Sequence, residues 1–334
     1  MQRIRQLDSL RALAILAVFV HHALKVKLLW MGVDLFFVLS GFLITGVLLN
    51  AKGHSLRGFF AHFYGRRARR ILAPYLVFLA VASLFVGLSW LRHWYLYILL
   101  TNLLFPLHIP HPAAFDPLWS LAVEEQFYLL WPFAVYFLSE RRLKQLCVLL
   151  MVLAPVLRGA MHFAEHWPIY MLTPFRLDLL AAGGLLCLLW RSHREAIERR
   201  GAAVGAVLTV AGLGALLGLS RAGISTMGNS RTGNVLIYEA CLFISVGVMV
   251  YALGGKWVGW LCFRPLMYIG KISYSMYLVH LGALVLVGMW FQGLPGAAIA
   301  LALTTGYAAL SWRLMESRLL GRRGSKAKPG VESA

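Results

Sequence analysis

The stretch VDLFFVLSGFLITGVLLN, residues 33–50, decides the fold class of this chain. Asp34 is its only ionisable side chain. An apolar helix of about 20 residues crosses the roughly 30 Å hydrocarbon core of a bilayer. Because that core holds no water, the backbone groups must pair within the segment, which favours a helix. The stretch therefore predicts a transmembrane α-helix.

Similar runs recur along the chain, which is 60% hydrophobic and 13% charged. A soluble domain carries roughly a quarter charged residues. We therefore predict an all-α, polytopic membrane bundle of about ten transmembrane helices. The predicted spans are residues 10–26, 33–50, 71–91, 119–138, 145–163, 172–190, 203–220, 235–254, 272–291 and 295–314. Residues 94–105 are apolar but too short to span, which indicates an interfacial or re-entrant segment.

The basic residues indicate the orientation of the bundle. With a cytoplasmic N-terminus, 25 of the 32 Lys and Arg residues flank the inner ends of the spans and six flank the outer ends. This bias predicts N-in, C-in topology and an even number of spans. The net charge of +19 is then a topology signal and an attraction to anionic lipid, with no nucleic acid as partner.

The chain reads as one membrane-embedded domain over residues 1–315. Residues 316–334 form a polar tail that we expect to be cytoplasmic and disordered. The four cysteines lie in or beside apolar runs, so they indicate neither a disulfide nor a metal site.

The first span carries two candidate functional residues in LDSLRALAILAVFVHH, residues 7–22. Arg11 and His22 are eleven residues apart, which puts them on one helical face about 16 Å apart. Because histidine titrates near neutrality, His22 buried within the membrane could take a proton from a hydroxyl. Alternatively, Arg11 is a topology anchor and His22 an interfacial residue. Asp8 is the expected N-cap.

Two further motifs follow. Asp34 and Ser40 lie in the second span, where Asp34 could orient an imidazole, hold an acceptor hydroxyl or cap the helix. A basic cluster precedes the third span in FYGRRARRILAPYL, residues 63–76. Guanidinium groups bind phosphate oxygens, and coenzyme A carries several phosphates. The cluster therefore favours either acyl-CoA binding or a lipid-facing basic collar. Its members are Arg66, Arg67, Arg69 and Arg70.

Ionisable residues inside spans are costly and are functional candidates. Glu124 and Glu125 occur in FDPLWSLAVEEQFYLLWP, residues 115–132, whose aromatic residues fit an interfacial belt. Adjacent helical residues point about 100° apart, so at most one of the two glutamates need face a site. Arg176 and Asp178 form either a structural charge pair or part of a site. His280 lies near mid-membrane.

With these motifs together, the chain resembles acyltransferase family 3, a family of multi-pass membrane proteins that includes bacterial O-antigen and exopolysaccharide O-acetyltransferases. The resemblance rests on LDSLRALAILAVFVHH, GVDLFFVLSGFLI, RRARRILAPY and WSLAVEEQFYLLWP, with weaker matches at FRLD, ISYSMYLVH and RLMES. It covers nearly the whole chain. Ser9 and Ala12 stand where many members have glycine. Longer relatives carry a fused extracytoplasmic esterase-like domain, which is not found in these 334 residues.

The resemblance implies an O-acyltransferase of the bacterial inner membrane that uses acyl-CoA, here expected to be acetyl-CoA, to modify a cell-surface glycan. Arg11 and His22 match the family's functional pair. Arg67 and Arg70 match its acyl-CoA-binding arginines, with Arg66 and Arg69 less securely matched. We expect His22 to act as general base, Arg11 to steady the thioester carbonyl or the phosphates, and Asp34, Glu124 or Glu125 to orient the imidazole or the acceptor. Direct transfer needs no metal, and a covalent acyl-histidine is the alternative.

Two other functions fit the same spans. The acceptor could be a cytoplasmic small molecule such as a macrolide sugar. A protein of another class, a transporter or glycan-lipid flippase, would also carry intramembrane charges. Such a protein is expected to show inverted repeats with broken helices, and the sequence shows no such repeats.

Overall fold

The computed structural model describes residues 4–161, 163–225 and 229–321. Within these ranges the chain is helical and has no strand. Its long helices are α1 (Arg5–Leu24), α2 (Gly32–Ala51), α3 (Leu56–Val86), α4 (Leu118–Phe137), α5 (Glu140–Ala160), α6 (Leu177–Ser192), α7 (Arg194–Arg221), α8 (Arg231–Leu253), α9 (Arg264–Gly288) and α10 (Gly293–Ser311).

Each of the predicted spans falls on one of these helices, which confirms a multi-pass helical bundle. By length and composition, eight helical stretches in the described ranges could cross a membrane. The other two long helices are α4, which carries Glu124 and Glu125, and α6, which is 16 residues long. The count of ten spans and the N-in orientation remain predictions.

The segment between α3 and α4 contains no long helix. It folds into short turns at Ser89–His93, Leu96–Leu99, Thr101–Leu103 and Ala113–Phe115. Leu96 and Tyr97 are buried against Phe78 of α3 and Phe115. The segment therefore packs against α3 without a spanning helix of its own, and its interfacial or re-entrant position remains a prediction.

Helix α2 is the central helix, because it is buried along most of its length between α1, α4 and α6. Its contact with α6 is set by two glycines. A Cβ on Gly41 would lie 1.9 Å from the carbonyl oxygen of Leu180, and one on Gly183 would lie 2.1 Å from that of Val38. These backbones therefore touch directly, as in other small-residue membrane interfaces.

Helices α1 and α9 are joined in the same way. A Cβ on Gly270 would lie 1.6 Å from the carbonyl oxygen of Asp8. This contact aligns the face of α1 that carries Arg11 and His22 with the face of α9 that carries Ser273 and His280.

Three local expectations are wrong. Helix α1 begins at Arg5 after Ile4, so Asp8 lies in its first turn and is not the N-cap. The aromatic residues of α4 form no interfacial belt, because helix packing buries them; they are Trp119, Phe127, Tyr128 and Trp131. In the tail predicted at residues 316–334, Ser317–Gly321 is helical. The rest of the predicted disordered tail, residues 322–334, lies outside the described residues.

Candidate active site

A cavity of about 180 Å³ lies between α1, α2, α3, α4 and α9; we call it the inner cavity. Its charged lining residues come from three helices, so no single sequence motif contains all of them. They are Arg11 from α1, Arg67 and Arg70 from α3, and Glu124 and Glu125 from α4.

The inner cavity is fixed by polar contacts between helices. The Nε group of Arg11 donates to the Ser273 hydroxyl of α9 at 3.3 Å. The guanidinium of Arg67 lies over the Tyr128 ring, with Cζ 3.7 Å from the ring centroid. The Ser40 hydroxyl donates to Glu124. Stacking on an aromatic ring holds a guanidinium in place and leaves its edge donors free for an anion.

The basic cluster of α3 divides into two pairs. Arg67 and Arg70 line the inner cavity, whereas Arg66 and Arg69 lie outside its lining. A three-residue spacing keeps Arg67 and Arg70 on one face of the helix. The cavity could thus hold a phosphate-bearing ligand between three guanidinium groups, with two carboxylates deeper in the lining.

A second cavity of about 300 Å³, the outer cavity, lies at the opposite end of these helices. Its wall is aromatic, with Trp119 and Tyr170 rings 4.7 Å apart and Phe105 and Trp167 rings 5.0 Å apart. Polar groups from three segments complete it: His21, His22, Asp116 and His166. Flat aromatic faces with a few polar groups suit a ligand that has both apolar faces and hydroxyls.

His22 lines the outer cavity near the end of α1, and its side chain is exposed there. Helix α1 ends at Leu24, and Lys25 adopts a left-handed conformation at φ 55°. Of the two sequence interpretations of His22, buried or interfacial, the end of the helix at this point favours the interfacial one. The ring therefore sits at the wall of an accessible chamber, two residues from the helix end.

Hydrogen bonds define which nitrogen of His22 carries the proton. Nδ1 lies 2.9 Å from the carbonyl oxygen of Val18. A carbonyl only accepts, so Nδ1 carries the hydrogen and Nε2 keeps its lone pair. Neutral His22 is thus held as the tautomer that can take a proton at Nε2, as a general base must.

His280 supports the same tautomer from α9. Its Nδ1 lies 2.7 Å from the Tyr277 carbonyl oxygen, so Nδ1 donates there. Its Nε2 then has a lone pair, and it lies 3.3 Å from Nδ1 of His22. His280 is fully buried, and it accepts the hydrogen that His22 shares with Val18. None of Asp34, Glu124 and Glu125 contacts the His22 ring, so the structure gives the orienting position to His280.

The remaining intramembrane charges form a separate buried network. Asp34 accepts from Arg176. Arg158 donates to Asp178 at 2.7 Å, to Glu239 at 2.6 Å and to the Phe175 carbonyl at 2.5 Å. Arg176 and Asp178 are therefore not partners of each other. Each carboxylate here has a guanidinium, which is the condition for burying such charges and indicates a role in holding α2, α5, α6 and α8 together.

Ser273 and Tyr277 line the cavities but were not predicted from the sequence, whereas His280, on the same helical face, was a sequence candidate. Ser273, Tyr277 and His280 lie at positions i, i+4 and i+7 of α9, so they share one helical face. That spacing is visible in ISYSMYLVH, residues 272–280, and it would have identified the face that meets α1. Arg158 and His166 gave no comparable signal, because their partners are distant in sequence.

Two polar residues at the rim of the outer cavity pair with each other. Asp116 accepts from His111 at 3.1 Å. Burial lowers the pKa of His111, but its hydrogen bonds to Asp116 and to the Ile109 carbonyl outweigh burial and raise the pKa overall. Asp116 thus sits at the rim beside a histidine that favours its charged form.

Comparison with known proteins links this geometry to a chemistry. The family model described as "Acyltransferase domain" matches residues 4–315. O-acetyltransferase OatA of Staphylococcus aureus strain NCTC 8325 is 29% identical, covering 96% of this chain and 58% of the relative. Peptidoglycan O-acetyltransferase OatA of Listeria monocytogenes is 30% identical, covering 93% of this chain and 55% of the relative. The chain thus spans little more than half the length of these relatives. No solved structure matches it.

Proposed function

Because the chain belongs to acyltransferase family 3, we propose that it is a bacterial inner-membrane O-acetyltransferase that moves an acetyl group from acetyl-CoA to a hydroxyl of a cell-wall or exported glycan. The observation that carries this proposal is the pair of stacked cavities. One is lined by guanidinium groups and the other by an imidazole and aromatic rings. Both relatives named above are called O-acetyltransferases.

The inner cavity is the donor site in this proposal. Arg67 and Arg70 bind the phosphates of coenzyme A, because guanidinium groups pair with phosphate oxygens through charge-assisted hydrogen bonds. Arg11 lies farther along the cavity, held by Ser273, where it can stabilise negative charge on the thioester oxygen. The N-in orientation predicted from the basic residues places this cavity on the cytoplasmic side, where acyl-CoA is made.

The outer cavity is the acceptor site. Its aromatic walls pack against the C–H faces of sugar rings, and its polar groups accept or donate hydrogen bonds to sugar hydroxyls. His22 Nε2 takes the proton of the acceptor hydroxyl as the oxygen bonds to the acyl carbon. The C–S bond then breaks, and coenzyme A leaves as a thiolate that regains a proton. Direct transfer in this way requires no second protein nucleophile.

The His22→Ala variant tests the proposed base. Membrane vesicles receive radiolabelled acetyl-CoA and glycan fragments, and ester-linked label on the glycan is measured. General-base catalysis contributes about 10²–10⁴-fold, so transfer should fall by about that factor. His54→Ala is the matched control, because His54 is an exposed histidine outside both cavities. This variant should transfer acetyl groups at the wild-type rate. Transfer at near wild-type rate by an equally expressed His22→Ala protein would contradict the role.

The same vesicles separate the other functions. Label on a cytoplasmic small molecule, with none on glycan, would favour the small-molecule acceptor. Wild-type vesicles that release no coenzyme A from acetyl-CoA with any acceptor would favour the transporter or flippase.

A further inference from the structure

The two cavities share one wall. Val33 of α2 and Tyr277 of α9 line both of them, whereas the other lining residues belong to one cavity alone. The order along α1 agrees, since Arg11 lines the inner cavity and Val18 and His22 line the outer one. At 1.5 Å per residue, the cavities are therefore stacked along the helix axes with these two side chains between them.

Tyr277 is held across this wall by contacts from three helices. Its hydroxyl lies 2.7 Å from the Ser120 hydroxyl of α4. Its ring meets Phe36 of α2 edge-on at 5.9 Å and lies 5.4 Å from the His280 ring of its own helix. All of these contacts are made by the Tyr277 side chain.

The shared wall lies between the acyl end of the donor and the His22 base, which must come into contact for transfer. A donor whose phosphates lie on Arg67 and Arg70 has its acyl end in the inner cavity, while the Nε2 base lies on His22 in the outer cavity. His22 lines the outer cavity, so water in that cavity can contact its ring when no acceptor is bound. A water molecule that donates a hydrogen bond to a general base is activated as a nucleophile. It then competes with the acceptor hydroxyl for the acyl carbon.

We propose that Tyr277, together with Val33, closes the passage between donor and acceptor cavities and so determines that the acyl group goes to a hydroxyl and not to water. This inference rests on the proposed function. In the side reaction, water oxygen bonds to the acyl carbon as His22 takes one of its protons. The C–S bond breaks, and the products are coenzyme A thiol and acetate. Tyr277 delays contact between the thioester and His22 until an acceptor occupies the outer cavity and excludes that water.

The experiment compares two products in the same purified protein in liposomes. Coenzyme A release is measured with and without glycan acceptor, and ester-linked acetyl on the glycan is measured in parallel. Tyr277→Ala should raise acceptor-independent release at least tenfold, and the ratio of acetate to acetylated glycan should rise with it. The double variant Tyr277→Ala/His22→Ala should lose this release, because the activated water depends on the base.

Two further variants complete the test. Tyr307→Ala is the matched control, because Tyr307 lies on α10 outside both cavity linings, and its product ratio should equal that of wild type. Val33→Phe narrows the passage and should lower transfer at least tenfold. If Tyr277→Ala does not fold, Val33→Phe alone decides the matter.

An unchanged product ratio in folded Tyr277→Ala, or wild-type transfer in Val33→Phe, would overturn the inference while leaving the proposed function intact. Release by Tyr277→Ala that persists without His22 would also overturn it. A wild-type protein that neither acetylates glycan nor consumes acetyl-CoA would instead overturn the proposed function.

Discussion

At the scale of single residues, the hydrogen bonds of His22 define which of its ring nitrogens can act as a base. The sequence identifies His22 as a candidate base, but it cannot say which nitrogen is free. The Val18 carbonyl and His280 together hold the hydrogen on Nδ1, so Nε2 is the basic atom. His280 is therefore a positioning residue, since it acts through His22 and lies outside the lining of both cavities.

Substitution of His280 tests this positioning role. His280→Leu removes the acceptor for the Nδ1 hydrogen, so kcat should fall about three- to tenfold, which corresponds to one lost hydrogen bond. The KM for acceptor should change little. His280→Gln restores an acceptor oxygen and should recover part of kcat. Equal loss of kcat in both folded variants would indicate that His280 only fills space.

At the scale of elements, α3 brings phosphate-binding groups to the cavity through its helical period. Arg67 and Arg70 line the inner cavity, and Arg66 and Arg69 do not. The sequence places all four in one cluster, because composition alone does not say where the neighbouring helices pack. The structure therefore provides an internal comparison between two pairs of equal charge.

The two arginine pairs should differ in their effect on donor binding. Arg67→Ala/Arg70→Ala removes charge-assisted hydrogen bonds, each worth about 1.5–3 kcal/mol, so the KM for acetyl-CoA should rise at least tenfold. Arg66→Ala/Arg69→Ala removes the same charge from the exposed face and should raise KM much less. The affinity of each purified double variant for acetyl-CoA provides the measurement. Equal losses from the two pairs would mean that overall charge, and not the cavity, attracts the donor.

At the scale of the whole molecule, the orientation of the bundle in the membrane determines which cavity faces the cytoplasm. The distribution of basic residues predicts that the inner cavity faces the cytoplasm. The donor is then taken from the compartment that makes it, and the product hydroxyl ester forms on the opposite side. Arg158 and Arg176 are paired with carboxylates within the bundle.

Cysteine labelling in intact spheroplasts tests the orientation. His54→Cys reports on the connection between α2 and α3, and Trp290→Cys on the connection between α9 and α10. Cys262 is first replaced by serine, since the other native cysteines are buried. A membrane-impermeant maleimide should label position 290 before lysis and position 54 only after lysis. The reverse pattern would put the arginines on the outside and exclude cytoplasmic acyl-CoA as the donor.

The sequence by itself determined the helical membrane class, the placement of the long helices and the residues of the family motifs. These properties depend on local hydrophobicity and on short spacings within one helix. Tertiary structure alone decided that Arg176 pairs with Asp34, that Arg158 joins Asp178 to Glu239, and that His280 meets His22. It also decided that Tyr277 separates two cavities. The physical reason is that each of these contacts joins different helices, and their relative rotation and depth are set by close packing at glycines such as Gly41, Gly183 and Gly270.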